Sequence, residues 1–288
     1  MGKYSIKELE QLSGIKAHTI RIWEKRHKII EPSRTSTNIR FYSDDDLKKI
    51  INVSLLNNHG IKISKIADMS VDDVFKKVLQ LSESKNDVQV HIDQLVVAMI
   101  DLDEAVFERI LSNLILRYDF ERTILEIVYP FLEKIGVLWQ TENITPAHEH
   151  FISNLIRQKL IVAIDGLPIP DKSSQKAVLY LPEQEQHEIG LLFYHYLCRK
   201  HGYRSFYLGQ CVPYGDLLSI AKNHAPQLIV SCLTSSLAMP IEDYLNKLSN
   251  DFASCRILLS GYQLRNLNLP ELHNVRTFSS PLEFKSLL

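Results

Sequence analysis

A chain of 288 residues, 45% hydrophobic and 23% charged with 10 Gly and 11 Pro, is long enough for two or three cored domains and far from collagen-like or disordered compositions. No apolar run approaches the ~20 residues that span a bilayer, and the start MGKYSIKELE lacks the apolar stretch of a secretory leader. The net charge of −1 hides an asymmetry: residues 1–66 hold 13 Lys/Arg against 7 Asp/Glu, a net of +6, which leaves 20 against 27, a net of −7, for the rest. A small basic head suited to a polyanion is therefore joined to a larger acidic body. A cytoplasmic protein without a membrane partner is expected.

In chain order, Ser5-Ile6-Lys7-Glu8 is a capping box, and Ile6, Leu9 and Leu12 give the first helix an apolar stripe that stops at Gly14. A second short helix is predicted around residues 17–26, with Ile20 and Trp23 facing inward. Two short helices joined by a Gly-containing turn form the helix-turn-helix pattern, whose second helix can enter the major groove. A polar, hairpin-like stretch follows from Pro32 to Tyr42 with Arg34 and Arg40 in it; Ser43 then caps a third helix whose first turn is Asp44-Asp45-Asp46. Another helix opens at Ser70, and 70–81 is read as short because the polar run 82–87 follows.

Residues 86–166 show dense helical periodicity with polar breaks near Asp101, Tyr118 and Asn143, which predicts an antiparallel bundle of about four helices. The Pro/Ser-rich segment 166–175 reads as a linker. After it, apolar runs at 177–181, 205–208, 228–233, 257–259 and 275–278 alternate with helical stretches, the signature of a five-stranded parallel sheet with helices on both faces. Ligands of such sheets bind at the carboxyl ends of the strands. The spacings of Cys198, Cys211, Cys232 and Cys255 match no paired-cysteine pattern, so four buried thiols are expected rather than disulfides or a zinc site.

The head resembles the MerR family of bacterial transcription regulators. The residues that carry the likeness run through Tyr4-Ser5-Ile6-Lys7-Glu8-Leu9, Gly14-Ile15, the stretch from Thr19 to Arg26, Pro32-Ser33-Arg34, Ile39-Arg40-Phe41-Tyr42-Ser43 and the stretch from Gly60 to Ile66. The resemblance implies a winged helix-turn-helix that binds double-stranded promoter DNA, with His18, Thr19, Arg21, Arg34, Arg40 and Tyr42 at the contact positions. Arg and short polar side chains at the start of a recognition helix reach base edges and phosphates, and wing arginines hold the flanking backbone. Lys16 departs from the family's usual cap residue at the start of that helix.

Glu185-Gln186-His187-Glu188-Ile189-Gly190 follows the first run of the sheet, Ser231-Cys232-Leu233 ends the third, and Ser260-Gly261 ends the fourth. Alone, Glu-x-His-x-x-Gly is a weak signal; the three together are similar to cobalamin-binding domains of the flavodoxin-like type. That likeness implies His187 as the lower axial ligand to cobalt, and Gly190, Ser231, Leu233, Ser260 and Gly261 beside the cofactor's buried nucleotide tail. Glu185 can hold the other ring nitrogen of His187 and set its tautomer and basicity. It stands where many members have Asp, and Ser260 where they have Gly.

Trp139, nine residues, then Glu149-His150 resembles the cap bundle of the CarH- and LitR-type photoreceptor group within MerR regulators. There the Trp covers the upper face of the corrin, and the Glu and His line the pocket for the 5′-deoxyadenosyl group. The resulting expectation is multidomain: an all-α winged helix-turn-helix head at 1–75, a four-helix bundle at 83–166 and a flavodoxin-like α/β cobalamin-binding domain at 175–288. The expected function is a cobalamin-dependent, light-responsive repressor, not an enzyme, in which adenosylcobalamin controls homo-oligomerisation and DNA binding. A MerR-type regulator working without cobalamin or light, and a corrinoid methyl carrier, remain the alternatives.

Overall fold

The computed structural model describes residues 3–84, 87–140, 144–265 and 272–288, which form two compact units, Met1–Leu155 and Ile156–Leu288. The first unit opens with α1 (Ile6–Ser13), started by the Ser5–Glu8 capping box and closed by Gly14 at φ 71°. α2 (Ala17–His27) begins at Lys16, which contributes no side-chain cap. The cap comes from α1 instead: Glu10 Oε2 accepts from the Ala17 N–H at 3.1 Å, and the same carboxylate pairs with Lys16 Nζ at 3.1 Å. These contacts hold the Glu10 carboxyl below its ordinary value, the Ala17 N–H acting most strongly.

β1 (Ser33–Arg34) and β2 (Arg40–Phe41) form a two-residue antiparallel hairpin with Arg34 opposite Arg40. Tyr42 exchanges both backbone hydrogen bonds with Tyr4, at 2.8 and 2.9 Å, and the Tyr4 hydroxyl donates to Asp44 at 2.9 Å. Tyr4 thus ties the hairpin to α3 (Asp44–Asn58), whose start is the Ser43–Asp46 capping box. α4 (Ile63–Ala67) and α5 (Val71–Ser84) follow. α5 runs on through the polar residues that suggested a stop at Leu81, because Ser and Glu side chains do not themselves end a helix. The core of the head is Tyr4, Leu9, Ile20, Tyr42, Leu47, Ile50 and Ile51, all fully buried.

α6 (Val88–Ile100) packs against α7 (Glu104–Tyr118) and against a continuous pass made of α8 (Phe120–Thr123), a π-helical turn at Ile124–Val128 and α9 (Tyr129–Gln140). Asp103 and Asp119 accept from Val106 and Arg122 N–H groups at 3.0 Å, capping the helices that follow the two breaks. Phe107 meets Phe131 edge-on at 5.7 Å, and the buried Asp93 is neutralised by Lys134 at 2.6 Å. α10 (Pro146–Asp165) is 20 residues long and passes from the first unit into the second. Among the described residues, no helix is long and apolar enough to cross a membrane.

Residues 166–175 carry no helix or strand. Beyond them β3 (Lys176–Pro182), α11 (Ile189–Lys200), β4 (Arg204–Val212), α12 (Tyr214–His224), β5 (Leu228–Cys232), α13 (Ile241–Asp251), β6 (Arg256–Ser260), β7 (Val275–Thr277) and α14 (Pro281–Leu287) alternate. The five strands are parallel in the order β4-β3-β5-β6-β7, the flavodoxin-like arrangement, which reverses direction between β3 and β5. Val178, Tyr180, Ile229, Leu233, Ile257 and Leu259 face α12 and α13, packing on Leu217, Tyr244, Leu245 and Leu248. On the other face Tyr194 of α11 meets Phe278 at 5.0 Å and Phe284 of α14 at 4.6 Å. Cys198, Cys232 and Cys255 are buried, but Cys211 is exposed, a correction to the expectation of four buried thiols. It lies at φ 53° on the edge strand β4, where the pairing with β3 slips register, and the bulge turns its side chain outward.

Gly261 follows β6 at φ 123°, and a Cβ there would stand 2.3 Å from the Leu233 carbonyl oxygen and 2.6 Å from the Leu233 nitrogen. Backbone cannot retreat as a side-chain tip can, so Gly261→Ala is expected to destabilise the second unit by about 2 kcal/mol or more. Gly215→Ala, in open space in the first turn of α12, should cost nothing. Equilibrium urea unfolding of the two variants checks the contrast.

Candidate functional site

The strand order reverses between β3 and β5, where α/β sheets of this kind bind ligands, and the loops leaving the carboxyl ends of those strands meet around one carboxylate. Glu185, only 2% exposed, accepts at Oε2 from the N–H groups of Thr234 at 2.7 Å and Ser235 at 2.6 Å. Its Oε1 accepts from the His187 N–H at 3.0 Å, the Ser235 hydroxyl at 3.2 Å and, at 2.6 Å, His187 Nδ1. Burial alone would raise the carboxyl's pKa; hydrogen bonds from the His187 ring and from the Ser235, His187 and Thr234 N–H groups more than reverse this and hold it at about 2. A carboxylate partner favours the proton of the pair on Nδ1, so a ligand bond from this ring would be made by Nε2. The imidazole itself is 64% exposed.

Thr234 and Ser235 were not among the residues expected here. They act mainly through backbone N–H groups, and the one available signal was the Thr-Ser-Ser run directly after the third strand. Ser231 lies opposite Tyr180 in the ladder, fully buried, with no well-formed hydrogen bond at Oγ. The neighbouring Tyr180 hydroxyl is committed to Tyr244 at 2.8 Å. Leu233 N–H donates to the Ser260 carbonyl at 2.7 Å, and Ser260 Oγ lies 3.3 Å from Cys232 Sγ. Gly190 occupies the first turn of α11 and is half-buried. An imidazole oriented by a charged carboxylate, beside a fully buried serine hydroxyl at the end of β5, fits a cobalt-bearing group with a buried tail.

Glu149 and His150 lie in the first turns of α10, where His150 Nδ1 and Glu149 Oε2 are 2.9 Å apart and the Ser153 hydroxyl donates to Glu149 at 2.7 Å. Both are accessible, His150 at 73%. Trp139 falls in the last turn of α9; its side chain lies outside the described residues.

In the head, His18 and Arg21 are exposed and Thr19 is half-buried, all in the first turn and a half of α2. Arg34 and Arg40 are exposed on facing strands of the hairpin, where Arg34 is held by the Asn38 side chain at 2.8 Å and Arg40 Nε lies 3.8 Å from Glu24. Tyr42 departs from the expected contact set. Its ring is fully buried because the Tyr4 pairing folds it under the hairpin, and its hydroxyl donates to Glu24 at 3.3 Å. Burial and the Glu24 charge push this phenol up to about 12; it is a core residue that also orients Glu24.

Residues 4–70 match the family profile described as MerR HTH family regulatory protein, and residues 91–163 match the one described as B12 binding domain. The HTH-type transcriptional repressor CarH of Myxococcus xanthus is 26% identical over 252 residues, 85% of this chain and 84% of that protein. The HTH-type transcriptional repressor CarA of the same organism is 25% identical over 258 residues, 87% of this chain and 82% of that protein. Among solved structures, the monomethylamine corrinoid protein of Methanosarcina barkeri superposes with a TM-score of 0.57 at 15% identity, covering 70% of this chain and 98% of that one, which is a likeness of fold. The chain thus carries a MerR-type helix-turn-helix region followed by a B12-binding region, and over most of its length it is similar to the CarH and CarA repressors.

Proposed function

We propose that the protein is a light-responsive repressor in which adenosylcobalamin controls assembly and thereby DNA binding, with a reader at 1–75, a capping bundle at 83–166 and a cobalamin domain at 175–288. The Glu185–His187 pair at the strand switch carries the reading: His187 Nε2 would hold cobalt from below, and the buried Glu185 keeps the ring in the ligating tautomer. Ser231, with its buried hydroxyl, and Gly190, Leu233, Ser260 and Gly261 would line the slot for the nucleotide tail. Trp139, Glu149 and His150 would meet the upper ligand, as the likeness to the CarH-type bundle implies. When bound, adenosylcobalamin supplies a Co–C bond that visible light breaks. A ligand shifts an equilibrium only through differential contacts with its two states, so upper-face residues that touch the adenosyl group are what a light switch requires. Joining several reader heads in one oligomer raises DNA affinity by about 10² to 10⁴ without new contacts. The net charge of +6 over residues 1–66, 13 basic against 7 acidic, supports a regulator over a methyl carrier, which has no use for a DNA reader.

His187→Ala is expected to abolish imidazole-ligated binding of adenosylcobalamin, read from the visible spectrum of the bound cofactor; an unchanged spectrum overturns the reading. Glu185→Gln should weaken binding by roughly 10 to 100-fold, the usual effect of losing a residue that orients a metal ligand. The same variant tests the acid response. A carboxyl held at about 2 in the fold and near 4.3 when unfolded contributes stability that is complete above the unfolded value and is lost as pH falls from there toward 2. Acid unfolding of Glu185→Gln should therefore show a flatter limb across that window.

On DNA, Arg21→Ala should lose more affinity for the operator than for random duplex, whereas Arg34→Ala and Arg40→Ala should weaken both and reduce the salt slope. Binding titrations at several salt concentrations separate the two patterns. Size-exclusion chromatography with adenosylcobalamin should give a larger species in the dark than after illumination, and Trp139→Ala should shrink that difference while retaining bound corrin. One apparent mass for the wild type in dark, in light and without cofactor would refute light control.

A further inference from the structure

Glu188 stands one peptide bond from His187 and caps α11, yet its side chain makes no hydrogen bond to that helix. The carboxylate is spent elsewhere. Oε1 pairs with Arg157 Nε at 2.7 Å and Oε2 accepts from the Tyr207 hydroxyl at 3.0 Å, with the carboxylate side chain 9% exposed. Tyr207, on β4, is itself fixed by stacking at 5.0 Å on His195 of α11. Burial, and then the Glu188 charge, raise its phenol well above the ordinary value, so it is a hydrogen-bond donor at every ordinary pH. A buried carboxylate is tolerated when its charge is paired and its oxygens are bonded, and removing one partner of such a group is costly.

The rest of the loop is pinned from the sheet. Cys211 N–H donates to the Glu185 carbonyl at 3.3 Å, and Gln210 Nε2 donates to the Gln186 carbonyl at 2.7 Å. Arg157 differs in origin, because it comes from α10. We infer that Arg157, Glu188 and Tyr207 form a clamp that fixes the His187 loop to α10 and β4, and so sets how firmly His187 holds cobalt; the inference rests on the cobalamin reading above. His187 Nε2 must be aimed within about 10–20° for a good ligand bond, and the Glu185 contacts restrain the ring only from its Nδ1 side. The clamp restrains the backbone on the other side of the ring.

The test uses the full chain loaded with adenosylcobalamin in the dark and titrated with acid, following the visible band of imidazole ligation, with far-UV circular dichroism on the same samples. Protonation of the ring competes with the cobalt bond, so a weaker bond is lost at higher pH. Glu188→Gln and Arg157→Met are expected to weaken binding roughly tenfold and to raise the midpoint for loss of ligation by about one pH unit, with the helical signal unchanged. Tyr207→Phe, which removes a single hydroxyl, should shift the midpoint the same way by less. Arg157→Lys should restore part of the loss, and Gln158→Ala, exposed on the same helix, should match the wild type. Wild-type midpoints in Glu188→Gln and Arg157→Met overturn the clamp alone. A wild type that binds no cobalamin through imidazole overturns the cobalamin reading and the clamp with it.

Discussion

Two loops of the second unit are organised around one buried carboxylate, that of Glu185. Glu185 collects donors from its own loop and from the loop after β5, at 2.6 to 3.2 Å, and in doing so joins two segments some 50 residues apart in the chain. Without it the strand switch would have two unconnected loops; with it, Thr234 and Ser235 are drawn against the His187 loop and the imidazole acquires a fixed tautomer. A buried carboxylate is expensive unless its oxygens are satisfied. The burial that makes Glu185 costly is therefore what enforces the geometry, because the folded state is stable only when all of these donors are in place. The sheet topology supplies the location, and the carboxylate supplies the alignment.

Much of this arrangement is legible in the sequence because it follows local rules. Ser5 and Ser43 announce their helices through residues three positions on, and both capping boxes form. The five apolar runs become the five strands of one parallel sheet, and Glu185 and His187 meet because they are two residues apart. Features that depend on distant partners are not written locally. Glu10 caps a helix that it does not belong to. Tyr42 reads as a terminal aromatic on an exposed hairpin, yet a backbone exchange with Tyr4, 38 positions earlier in the sequence, takes it into the core. The donors of Thr234 and Ser235 are backbone N–H groups, which every residue but proline has, so no side-chain pattern could mark them.

The π-helical turn at Ile124–Val128 interrupts an otherwise continuous helical pass between Phe120 and Gln140. A one-turn insertion of this kind rotates the side chains that follow it relative to those before it. Ile124, Ile127 and Val128 are all buried, so the turn is held by packing rather than left as a fray.

The cap that Glu10 gives to α2 bears on how the head can grip a polyanion. A helix start with open N–H groups and a positive dipole end is a ready phosphate site. Here that end already holds a carboxylate from α1, bonded at the Ala17 N–H. A DNA phosphate approaching the tip of α2 would meet N–H groups already bonded to a carboxylate, itself paired with Lys16 at 3.1 Å. Attraction to the duplex must then come from side-chain guanidinium and ammonium groups farther along the helix and on the hairpin, which makes the grip adjustable by salt and tolerant of small rotations of α2.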